Sequence, residues 1–153
     1  GNRPCRAARR LAAGGGDPPR PLLPAGGDTV NAVVVLGHGS RAPGASEAME
    51  RIASILRGRR GERIETAHME ISEPSLVVVL ERLHADGFRR VVLVPYFLHH
   101  GIHLREDIPG ILDNVRSRLP DLEIVTAPHL GYDDALVDVV ERRLEQAMAM
   151  EVR

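Results

Sequence analysis

The sequence has no tryptophan and no lysine, only two tyrosines and two phenylalanines, and a single cysteine. Each shortage excludes something. A protein that holds nucleic-acid bases by stacking needs more aromatic side chains, so no nucleic-acid partner is expected. One thiol, Cys5, allows neither an intramolecular disulfide nor a thiolate metal cluster within the chain, which fits a reducing compartment. No stretch approaches the roughly 18 consecutive apolar residues of a membrane-spanning helix, and the N-terminal region lacks the continuous apolar core of a signal peptide. A cytoplasmic protein without a membrane partner is therefore expected. The formal net charge of -1 is unevenly spread, with five arginines against Asp17 and Asp28 in residues 1–30 and a net negative remainder. Neither part is charged enough to predict a polyanion partner.

Residues 1–30 consist mostly of Gly, Pro, Ala and Arg, a composition that buries too little surface to offset the entropy of ordering. They read as a disordered N-terminal extension. Gly14 to Gly16 and the prolines up to Pro24 also speak against an amphipathic transit helix. The remainder, residues 31–150, is long enough for one α/β domain, with a core supplied almost entirely by Leu, Ile, Val and Ala.

Within that domain, short apolar runs alternate with helical patterns. Asn31 to Leu36 reads as a first strand, and Ala45, Ala48, Met49, Ile52, Ile55 and Leu56 fall on one face of a helix that Gly58 and Gly61 close. Arg63 to Ile71 makes a second strand. A second helix follows Ser72-Glu73-Pro74-Ser75 and stops at Gly87. Val91 to Leu98 is a strand buried on both faces, then come a helix over about Leu104 to Leu119, a strand over Leu122 to Ala127 and an amphipathic helix over Asp133 to Met148. Four βα units predict a four-stranded parallel, doubly wound sheet in the order 2-1-3-4, with helices on both faces and its topological switch point between strands one and three.

Polar residues gather where strands one and three leave the sheet, the edge at which open α/β folds bind ligands. His38, between Gly37 and Gly39, follows strand one; His99, His100 and His103 follow strand three; Glu70 lies near the end of strand two. Two imidazoles and a carboxylate with open positions suit Co, Fe, Ni or Zn, and imidazole also takes up protons near neutral pH. The plainer reading of His38 and His103 is a loop histidine bonded to backbone, and of Glu70 an ordinary edge carboxylate. His99 and His100 point to opposite faces if strand geometry persists. His68, His84 and His129 read as structural. Gly37 to Ala42 also fits a loose phosphate-binding glycine loop, but Pro43 and Gly44 delay the helix that such a loop should open.

Three segments together resemble the small sirohydrochlorin chelatases, the short-form cobaltochelatases and ferrochelatases of the class II tetrapyrrole chelatases. They are Val-Val-Leu-Gly-His-Gly-Ser-Arg (34–41), Met-Glu-Ile-Ser-Glu-Pro-Ser-Leu (69–76) and Val-Pro-Tyr-Phe-Leu-His-His-Gly-Ile-His-Leu-Arg-Glu-Asp-Ile-Pro (94–109). The resemblance spans about residues 31–147. It implies ATP-independent insertion of Co²⁺ or Fe²⁺, with Ni²⁺ a further candidate, into the carboxylate-fringed macrocycle sirohydrochlorin on the route to cobalamin or sirohaem, without an organic cofactor. It implies that His38 and His103 bind the metal and accept protons, with Glu70 as their acidic partner. Arg41 and Arg105 are candidates for pairing with the macrocycle's carboxylates by charge complementarity. A single short lobe implies half of a two-lobed enzyme, hence a homodimer. A non-catalytic metal or tetrapyrrole carrier using the same residues is the alternative.

Overall fold

The computed structural model describes residues 31–42 and 44–151; the reading of residues 1–30 as an extension lies outside the described residues. Strands β1 (Asn31–Gly37), β2 (Arg63–His68), β3 (Arg90–Pro95) and β4 (Glu123–Thr126) alternate with helices α1 (Ala45–Arg60), α2 (Leu76–Ala85), α3 (Ile108–Arg118) and α4 (Asp134–Glu151). All strand pairs are parallel and the order is β2-β1-β3-β4, as the alternating pattern predicts.

The two central strands explain why the apolar runs are unbroken. Ala32, Val34, Leu36, Val91 and Leu93 face α2 and α3, whose Leu76, Val79, Leu80, Leu83, Leu112 and Val115 close over them. Val33, Val35 and Val92 face the opposite side, where Met49 and Ala53 of α1 meet them. Ser75 caps α2 by accepting a hydrogen bond from the Val78 amide, and Pro109 sits in the first turn of α3, where a missing N–H costs least.

Two strands end earlier than the apolar runs suggest. β2 stops at His68, not Ile71. The Met69 and Glu70 amides still donate to the Gly37 and His38 carbonyls, but Ile71 takes a left-handed φ of 68° and carries the chain out of the sheet. β3 stops at Pro95 rather than Leu98, because β4 supplies partners only as far as Thr126 opposite Leu93 and β1 only as far as Leu36 opposite Pro95. Strand geometry therefore does not reach His99 and His100. Between β3 and α3 lies a single π-helical turn, His103–Asp107. Such wide turns recur at functional sites.

Candidate metal-handling site

The exit of β1 is fixed by close packing. A Cβ on Gly37 would lie 2.2 Å from the Met49 sulfur, and one on Gly39 would lie 1.9 Å from the Glu70 carbonyl oxygen, with Gly39 also at a φ of +96°. Only glycine fits the second position. Between these two residues the chain passes against the exit of β2, and His38 is held at the sheet's carboxyl edge.

The π-helical turn after β3 brings His103 to the same place. Its Nε2 lies 2.9 Å from His38 Nε2, with ring centroids 4.5 Å apart and planes at 84°. On the far side of the ring, His103 Nδ1 lies 2.6 Å from the Asp107 carboxylate, and Phe97 stacks at 6.5 Å. A carboxylate only accepts, so His103 Nδ1 carries a proton, and in the neutral ring the Nε2 lone pair then points at His38. In that tautomer His38 Nε2–H is the donor of the pair. Replacing that bridging proton by a cation leaves two lone pairs converging on one point, with a carboxylate orienting one ring from behind.

Glu70 stands apart from this pair. It is tied to His38 through its backbone amide, 3.1 Å from the His38 carbonyl, while the residue lines a neighbouring cleft of about 470 Å³ with Glu106 and Asp107. Among the described residues no group of three or more His, Cys, Asp or Glu is arranged to hold an ion. The structure thus joins the two imidazoles and leaves Glu70 outside the pair, on the cleft that Asp107 also lines. Arg41 is exposed on the loop that carries His38, and Arg105 on the π-helical turn that carries His103.

The other histidines separate. His99 is exposed, and His100 meets His129 with ring centroids 5.6 Å apart. His84 bonds Asp121 at 2.9 Å; that hydrogen bond, with the nearby Arg89, holds the Asp121 carboxyl below its ordinary range. His68 is 3% exposed, and its Nδ1 has no hydrogen-bond partner. It lines a cleft of about 280 Å³ with His38, Ser40, Ser46, Met49 and Tyr96. The residue that sequence reasoning missed is Asp107. Its signal was present, a carboxylate four residues after a histidine at the start of a helical pattern.

The glycine loop does not behave as a phosphate loop, since α1 begins only at Ala45 and Gly44 at its N-terminus offers no side-chain cap. Comparison with known proteins identifies the scaffold instead, because the CbiX family model matches residues 32–147. The chain belongs to the CbiX family. Among its relatives, the sirohydrochlorin cobaltochelatase of Methanopyrus kandleri is 32% identical over 141 residues, covering 78% of this chain and 99% of that one. The chloroplastic sirohydrochlorin ferrochelatase of Arabidopsis thaliana is 31% identical over 119 residues, covering 76% of this chain but 52% of that one. A crystal structure of a CbiX protein from Marinobacter aquaeolei VT8 superposes with a TM-score of 0.65 at 30% identity, covering 76% of this chain and 98% of that one.

Proposed function

We propose that this CbiX-family protein is a sirohydrochlorin chelatase that inserts Co²⁺ or Fe²⁺ into the macrocycle, with residues 31–150 as one chelatase-like lobe. The observation that carries the reading is the convergence of His38 Nε2 and His103 Nε2 at 2.9 Å. At imidazole–metal bonds of about 2.1 Å, nitrogens this far apart subtend roughly 90° at a shared ion. That is the cis angle of octahedral or square-based coordination, not the wider tetrahedral angle of structural zinc.

Two protein ligands leave most of the coordination sphere free, as a transferable ion requires. The four macrocycle nitrogens take those open positions, the two pyrrole N–H bonds break, and the imidazoles release the ion. One M²⁺ is consumed and two protons are produced. His38 and His103, freed of the metal, accept protons, the Asp107 carboxylate on His103 Nδ1 takes part in that transfer, and Glu70, on the cleft it shares with Asp107, passes protons on to solvent. Asp107 sets the His103 tautomer that makes Nε2 the ligand. Arg41 and Arg105 pair with the carboxylates at the macrocycle rim. Neither ATP nor an organic cofactor enters this scheme.

The same reading includes a homodimer in the cytoplasm. It is supported by length, since the chain is a single lobe that matches nearly all of the short Methanopyrus kandleri protein, so a second copy would supply the facing lobe. Among the described residues no helix is long and apolar enough to cross a membrane. The test is an anaerobic side-by-side assay of Co²⁺, Fe²⁺ and Ni²⁺ with sirohydrochlorin, followed by visible absorption. Multiple turnovers with Co²⁺ or Fe²⁺ are expected. Stoichiometric binding without turnover would make the protein a carrier instead.

A further inference from the structure

A second pair of imidazoles lies at the same edge of the sheet. The segment that leaves β3 carries His100 and the segment that leaves β4 carries His129, and the two rings stand with centroids 5.6 Å apart and planes at 56°. The segments are tied together beside this pair, since Gly131, at a φ of +54°, donates its N–H to the Phe97 carbonyl. His100 is exposed and His129 half-buried, so ions reach the pair from solvent.

These rings differ from the others in having no assigned work. Among the described residues the histidine side chains that hydrogen-bond are His38, His84 and His103; His100 and His129 are not among them. Glycine at position 131 also leaves room beside His129 Nε2, where a Cβ would crowd that nitrogen at 3.4 Å.

The spacing fits a shared ion of a different geometry. An imidazole centroid stands about 3.2 Å from an ion on its lone-pair axis, given a bond of about 2.1 Å. Centroids 5.6 Å apart then subtend roughly 120° at that ion. The same construction on His38 and His103, at 4.5 Å, gives roughly 90°. The second pair therefore suits tetrahedral coordination completed by water, which Co²⁺ and Zn²⁺ both accept. The two pairs are also close along the chain. His100 precedes His103 by three residues, so their Cα atoms are at most about 11 Å apart.

We propose that His100 and His129 form a second divalent-metal site, which receives the ion from solvent and passes it to His38 and His103. The ion exchanges one imidazole pair for another, so the transfer changes neither its charge nor its ligand type. The relay rests on the chelatase reading above; the site itself does not.

The test is anaerobic equilibrium dialysis of the full chain against Co²⁺, with visible absorption of the bound ion. Wild type is expected to hold two ions per chain, and His100→Ala and His129→Ala one each. His38→Ala combined with His103→Ala should hold one, with the intense visible bands of tetrahedral Co²⁺, and adding His100→Ala should remove it. Should His129→Ala unfold, His100→Ala, at an exposed position, carries the test. A His100→Ala chain that binds as many ions as wild type overturns the site. A single ion that is lost with His100 and kept without His38 and His103 sinks the insertion pair instead. The relay is read in steady-state insertion, where His100→Ala should raise the KM for Co²⁺ severalfold more than it changes kcat; an unchanged KM overturns it. Two bound ions without turnover in wild type would sink the chelatase and the relay with it, and leave the site standing.

Discussion

The two faces of one sheet differ more than the two ends of its strands. On the α2/α3 side, fifteen buried apolar residues form a continuous layer across all four strands; on the α1 side, among the described residues, only six do. The strands are equally apolar toward both sides, so the difference lies in the helices. Stability is concentrated on the closed face. The chemistry sits on neither face, at the carboxyl edge where His38 and His103 meet.

That division can be broken by substitutions that should each disturb one property and spare the others. The largest effect is expected for Leu80→Ala, a fully buried residue of the closed face: a loss of about 2–5 kcal/mol in urea unfolding, independent of protein concentration. Leu144→Ala in α4 trims a side chain that is 59% exposed, so it should cost about 0.5 kcal/mol or less in the same urea unfolding. A loss as large as that of Leu80→Ala would place α4 in the core. Gly39→Ala forces a Cβ onto the Glu70 carbonyl oxygen in a left-handed backbone position. It should remove chelation while leaving most of the melting transition, which calorimetry and turnover together would show.

Asp107→Asn comes next. The amide cannot fix the His103 tautomer as a carboxylate does, and loss of such an outer partner typically weakens metal binding about 10–100-fold. Titration calorimetry with Co²⁺ reads this directly, against an unchanged melting temperature. The smallest effect concerns Glu50, whose carboxyl is held below its ordinary range first by the hydrogen bond from Arg57, opposed by burial and helped by the Arg57 charge and Thr66. A depressed carboxyl contributes stability above its unfolded pKa and loses it as pH falls through the folded value. For so exposed a pair, Glu50→Gln should cost about 1 kcal/mol or less at neutral pH. The difference in melting temperature from wild type should shrink toward zero as the medium is acidified.

How much of this was legible in the sequence follows from which signals are local. The runs Ala32–Leu36 and Val91–Val94 report strands buried on both sides, and for four βα repeats the commonest doubly wound order is 2-1-3-4, the one observed. The switch-point rule then pairs the loop after β1 with the loop after β3, which is why His38 and His103 were legible as neighbours 65 residues apart. Asp107 left only its four-residue spacing from His103 as a signal, and that the spacing becomes a contact depends on a π-helical turn that side-chain periodicity does not encode. Glu70 was placed on strand two, but a left-handed Ile71 ends that strand early and the residue joins the Asp107 cleft. The exposure of α4 was equally hidden. An amphipathic helix has the same pattern whether its stripe covers its own sheet or another's.

The pairing of His38 with His103 is the centre of the account, and anaerobic Co²⁺ insertion into sirohydrochlorin by His38→Ala and His103→Ala, followed in the visible spectrum, addresses it most directly. Each substitution removes an exposed or half-exposed ring at the edge of the sheet, so circular dichroism and melting temperature should stay at the wild-type values while insertion is abolished in both. Full activity in both variants, with the fold intact, would contradict it.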